Sequence, residues 1–238
     1  TQVMGDLPEG VFDFEAAHLL AKPGDALVPV EPQYSWDDPE PARAQAETAG
    51  LPAGAAERIA AMAAAKSAEA AAAQAGDLPR DVALYGIGAW HWNHTEFEAA
   101  ELQFRAVLDL PDAERSHRGL WASFMLGRAR ALYGDRAGAD AAFEQTRAWV
   151  RAGASDLLGL AVASLGEQAR TAREAGDTAT AVRLYAEQAA YGSGSGRNSL
   201  LFVARAAVRD PAQIDALLAD EVGTKLLLAY LYSRYNEL

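Results

Sequence analysis

From residue 80 onward, large apolar residues recur at helical spacing, and no stretch alternates apolar and polar positions as a half-buried strand would. The pattern predicts helices throughout, the last three over 197–209, 211–219 and 221–235, with Gly192–Gly196 as a flexible connector ahead of them. Upstream, residues 53–76 hold fourteen alanines in twenty-four positions, which predicts one uninterrupted helix ending at Gly76. Its only large apolar side chains are Ile59 and Met62, so it docks through small residues. Residues 1–52 break the pattern. They hold seven of the ten prolines, which remove backbone donors and push their predecessors out of the helical region. Yet Phe12, Phe14, Leu19, Leu27, Tyr34 and Trp36 make the segment too apolar for a solvated tail. The expectation is an acidic, extended arm (1–52) packed on a helical body (53–238), with one short helix near Phe12–Leu20.

Within the body a unit repeats. An apolar residue followed by glycine occurs at Ile87–Gly88, Leu126–Gly127 and Leu165–Gly166, each pair 39 residues from the next. Downstream come alanine and, four residues on, an aromatic: Ala100 and Phe104, Ala139 and Phe143, Ala181 and Tyr185. Between them stand Gly134–Asp135 and Gly176–Asp177, where glycine supplies the left-handed residue that ends one helix and aspartate caps the next. In the first unit Thr95-Glu96-Phe97-Glu98 holds the same place and reads as a capping box; Asp210–Pro211 reads as a cap with proline in the first turn. Each unit is a helix–turn–helix pair, over about 80–112, 116–152 and 156–191.

These apolar–Gly and Ala–aromatic pairs resemble the tetratricopeptide repeat family over about residues 80–190. The spacing differs, about 34 residues in the family against 39 here. The resemblance implies an all-α, right-handed solenoid of helix pairs whose first helices line a concave groove. With the three glycines set as equivalent, the groove positions are Tyr85, Ala89, Trp92 and Asn93; Trp121, Phe124, Arg128 and Ala131; and Ala163, Glu167, Arg170 and Thr171. Of these, Tyr85, Trp92, Asn93, Trp121, Phe124, Arg128, Glu167 and Arg170 are the candidates for partner contacts, since aromatics with Arg and Asn suit a peptide backbone or a sugar face. Each aromatic taken singly reads as core, because large apolar side chains are mostly buried. The proline-rich arm could itself lie in the groove, anchored by Tyr34-Ser35-Trp36.

Composition narrows the functional classes. Among 238 residues, 33 acidic side chains face 21 basic ones, a net charge of −12, which disfavours nucleic acid and anionic membranes as partners. With no cysteine, disulfides, thiol nucleophiles and cysteine-ligated metals are excluded. No apolar run reaches the roughly 18 residues of a membrane span. Eighteen of the 21 basic residues are arginine, which suggests a bacterial source, and the missing cysteine with the Thr1 start favours an exported or periplasmic setting over the cytoplasm.

Trp90-His91-Trp92-Asn93-His94, followed by Glu96, Glu98 and Glu101, is the one cluster with metal-ligating side chains. Polar and aromatic residues at a helix end explain it without a metal, so the expectation is no metal and no cofactor. No Gly-x-Ser-x-Gly, P-loop or His-Glu-x-x-His motif occurs. The expected function is a non-catalytic interaction or scaffold module presenting its groove to a protein, a peptide or a glycan. Two alternatives stay open: a helical enzyme or enzyme subunit acting on a glycan or small molecule through groove carboxylates, and a structural component of a bacterial cell envelope. The apolar last helix, Leu226–Tyr232, either caps the stack against another helix or continues into a partner, as in a homodimer through this helix.

Overall fold

The computed structural model describes residues 8–21, 27–29 and 40–235. Among them are thirteen α-helices and no strand, so the chain is all-α. It forms two compact units, one from Thr1–Glu31 with Val162–Leu238 (unit 1) and one from Pro32–Ala161 (unit 2). The predicted arm divides between them, and its described part includes two helices, α1 (Pro8–Ala17) in unit 1 near the expected short helix and α2 (Glu40–Thr48) in unit 2, while residues 27–29 carry no regular structure. The prolines permit the two helices because Pro8 and Pro41 fall in first turns, where a missing N–H is lost to no bond. Tyr34-Ser35-Trp36 lies outside the described residues.

In unit 2 the alanine-rich run breaks into α3 (Ala55–Ala63) and α4 (Ala68–Gln74) instead of forming one helix. Ser67 causes the break, its extended backbone placing a side-chain oxygen on the amide of Ala70. α3 docks through its large Met62, which is buried and lies so close to Gly86 that a Cβ there would sit 2.6 Å from the Met62 methyl, while Ala55 and Ala71 are buried as small residues of the run. α5 (Arg80–Asn93), α6 (Phe97–Leu108), α7 (Gly119–Leu132) and α8 (Arg136–Arg151) follow, each packed on the next. α9 (Leu160–Glu174) carries the chain into unit 1, where α10 (Thr178–Ala190), α11 (Gly194–Ala207), α12 (Pro211–Leu218) and α13 (Glu221–Ser233) complete the fold.

The three turns between paired helices share one backbone pattern. Thr95, Gly134 and Gly176 each adopt positive φ, and their amides bond to Trp92, Ala131 and Arg173 carbonyls. The next amides, of Glu96, Asp135 and Asp177, reach back to His91, Arg130 and Ala172. This is the Schellman arrangement, which satisfies the last carbonyls of the first helix. Asp135 and Asp177 then cap the second helices on Gly138 and Thr180. The capping box expected at Thr95–Glu98 is absent, because Thr95 occupies the left-handed position and its hydroxyl bonds to the His94 carbonyl.

The matched glycines all mark close approaches. A Cβ at Gly88 would meet the Phe104 ring at 2.7 Å, and one at Gly127 would meet the Phe143 ring at 2.5 Å. Counted from the turn residues Thr95 and Gly134, the glycine stands seven residues before and the aromatic nine after. In the third pair, Gly166 stands ten before Gly176 and meets Gln188, twelve after. One extra turn of α9 thus moves the contact past Tyr185, which is buried in the unit 1 core instead.

Unit 1 also corrects the expected connector at Gly192–Gly196. Ser193 caps α11 on the amide of Gly196, and Gly196 is buried against the Ala189 backbone. Asp210 caps α12 with Pro211 in its first turn. α1 buries Phe12 and Ala16 against the C-terminal helices, with Leu19 just beyond its end in the same core and Phe12 edge-on to Tyr230 at 6.2 Å. No helix among the described residues is long and apolar enough to cross a membrane.

Candidate functional site

A cleft of about 480 Å³ opens in unit 2 between α2, α3, α5 and the start of α7. One face of α5 supplies Val82, Tyr85, Gly86, Ala89, Trp90 and Asn93 at spacings of three and four residues, the signature of a single helical stripe. α3 contributes Ile59 and Met62 to the lining. The Trp90 indole is fixed by donating its N–H to the Ala65 carbonyl at 2.8 Å.

Arg118, immediately before α7, closes one end. It is only 3% exposed, and its guanidinium lies over the Trp121 ring at 4.5 Å and the Tyr85 ring at 5.9 Å. It donates to the His117 carbonyl at 3.1 Å and to the carbonyl of Glu47 in the last turn of α2. Burial pulls this guanidinium below its ordinary range, opposed by Tyr85, Asp81 and Glu47. Burial likewise pushes the Tyr85 hydroxyl up to about 12, so it remains a neutral donor at physiological pH. The loop carrying Arg118 is held by Asp81, a fully buried carboxylate that accepts the amides of Val82, His117 and Arg118 at 2.8–2.9 Å.

The structure brings three of the sequence candidates, Tyr85, Asn93 and Trp121, to this cleft. Trp92 and Arg128 form a second rung seven residues further along α5 and α7: Arg128 lies over the Trp92 ring at 5.0 Å, as Trp121 meets Tyr85 edge-on at 5.7 Å. Phe124 lies on another side of α7. It is 9% exposed and packs against Phe143, because its position on α7 turns toward α8. Glu167 and Arg170 belong to unit 1, where Arg170 pairs with both Glu167 and Glu174 along α9.

The histidines of the cluster have partners within the protein. His91 pairs through Nδ1 with Glu96 at 2.6 Å, and His94 bonds the Trp90 carbonyl while stacking on the Trp90 ring at 3.8 Å. Among the described residues no group of three or more His, Asp or Glu side chains could hold a metal ion. Ser116, His117 and Asp81 are neighbours, yet both oxygens approach the same nitrogen, Nδ1 of His117, so they lack the relay geometry of a nucleophilic triad.

Sequence reasoning missed Arg118, Asp81 and the α2 wall. Nothing local marks them, since Arg118 meets Glu47 across 71 residues and Asp81 meets the α7 loop across 36. Compared with known proteins, the chain matches no family model, no curated protein sequence and no solved structure.

Proposed function

We propose that the chain is a non-catalytic interaction module whose unit 2 cleft receives a segment of a partner protein. The observation that carries this reading is the aromatic cleft closed by a buried guanidinium. Tyr85, Trp90 and Trp121 offer large flat surfaces, and Arg118, Asn93 and the Tyr85 hydroxyl offer donors to a peptide's carbonyls. A volume of about 480 Å³ matches a ligand site rather than a packing defect. On this reading the Gly–aromatic pairs of a solenoid resembling tetratricopeptide repeats are the scaffold that fixes the cleft. The glycosidase-type alternative needs two carboxylates about 5–10 Å apart. The described lining of the cleft supplies Glu47, which is already paired with Arg43 at 2.9 Å.

Site-specific photo-crosslinking in the source cells tests this. A benzophenone side chain at Asn93 should capture a defined partner segment, whereas one at the exposed Gln145 on α8 should not. The same products from both positions would remove the cleft from the account.

A second surface supports the homodimer. α13 buries Leu226, Leu227 and Ala229 but leaves Leu228 61% and Tyr232 69% exposed, with Leu231 and Tyr235 beside them. Sedimentation at micromolar concentration should show a dimer that Tyr232→Glu dissociates; a monomer throughout would rule the contact out.

A further inference from the structure

We propose that the unit 2 cleft is a helix-accepting groove, that α2 is its internal occupant, and that the partner is a short helix, bulkier on its cleft-facing side, that takes the place of α2. This rests on the reading of the cleft as a peptide site and adds what kind of segment it takes and what guards it.

Three observations converge. The first is how little holds α2. It has nine residues, and isolated helices shorter than about 12 residues are marginal in water, so tertiary contact keeps it folded. Yet among its described side chains, residues 43–48, Ala46 alone is buried, at 5% exposed, Glu47 and Thr48 are half-buried, and Arg43, Ala44 and Gln45 are exposed. The second is the chemistry of Arg118. Among the described residues no carboxylate pairs with its guanidinium; the acceptors are two backbone carbonyls, one of them Glu47 in the last turn of α2. The end of a helix presents unsatisfied carbonyls and the negative pole of its dipole, which is what a buried cation with carbonyl partners is suited to meet. The third is the space left over. α2 offers the cleft the small side chains of Ala44 and Thr48, and about 480 Å³ remains open between them and Tyr85, Trp121, Ile59 and Met62.

The groove therefore fits a helix with two features: a free last-turn carbonyl aligned with Arg118, and a leucine-sized side chain where α2 has Ala44. Three further buried carbons favour such a helix by roughly tenfold or more over the α2 sequence itself. That margin opposes the high effective concentration of a tethered α2.

The test uses the full chain and two acetylated, amidated, fluorescein-labelled peptides, one with the sequence of residues 39–50 and one its Ala44→Leu version. Fluorescence anisotropy is read on the unaltered chain and on an Ala44→Pro chain, in which proline breaks α2. The leucine peptide should bind the Ala44→Pro chain at least tenfold more tightly than the unaltered chain, and more tightly than the alanine peptide does. Adding Arg118→Gln to the Ala44→Pro chain should weaken it at least tenfold. Equal binding to both chains would overturn α2 as occupant while leaving the cleft a peptide site; binding to neither would overturn both. An unchanged affinity with Arg118→Gln would overturn the helix-end receptor. Hydrogen exchange on the unaltered chain supplies a readout independent of any variant. Excess leucine peptide should speed exchange of the α2 amides and not those of α5, and an unchanged pattern overturns the displacement.

Discussion

Thr95 is the one described non-glycine residue at positive φ, 62°, in a position where the other two hairpins place glycine. A β-branched side chain there crowds its own backbone, at about 1–2 kcal/mol. Thr95→Gly should therefore raise stability by about 1 kcal/mol, or a few degrees in Tm, in thermal unfolding. An unchanged or lower Tm would mean that the hydroxyl bond to His94 offsets the strain. The helical glycines make the opposite prediction. Gly127→Ala drives a methyl into the rigid Phe143 ring and should destabilise by about 1–3 kcal/mol, whereas Gly166→Ala meets the movable end of Gln188 and should cost clearly less. Equal losses in urea unfolding would show that the ring contact is not what requires glycine.

At the scale of elements, short-range signals were readable and long-range ones were not. Gly134–Asp135 and Gly176–Asp177 announced their turns because both bonds of the motif close within six residues. Ser67 was lost in the alanine run, since one capping hydroxyl leaves no trace in helix propensity. The shift from Tyr185 to Gln188 depended on one extra turn of α9, visible only once the hairpin is paired. Long-range ties also set how elements respond to pH. Asp220 caps α13 on Val222 and Gly223 and pairs with Arg183 of α10. Burial alone would raise its carboxyl, but the bond from Arg183 and those from the two amides outweigh it and hold it below the usual aspartate range. A carboxyl held low when folded contributes stability above its unfolded pKa and loses it as pH falls through the folded one. Asp220→Asn keeps a capping oxygen, so it should be less stable than the parent at neutral pH and converge on it as pH falls below the usual aspartate range in parallel urea titrations. A gap that persists in acid would contradict the charge-based account.

For the whole molecule, the cleft is where the sequence said least and the fold says most. The groove residues foreseen on α5 and α7 supply only two of its walls; α2 and α3 supply the others, and Arg118 its end. The chain carries a net charge of −12, yet this cleft holds Arg43 and Arg118 against Glu47, so its local charge balance differs from that of the chain. Central to this account is that a partner segment is gripped by the aromatic floor beneath Arg118. The most direct measurement is calorimetric titration of the crosslinked partner segment into the parent chain and into Trp121→Ala. A buried aromatic anchor is worth about 2 kcal/mol or more, so the account predicts at least a thirtyfold loss of affinity with helical content unchanged. Equal affinity for the two chains would contradict it.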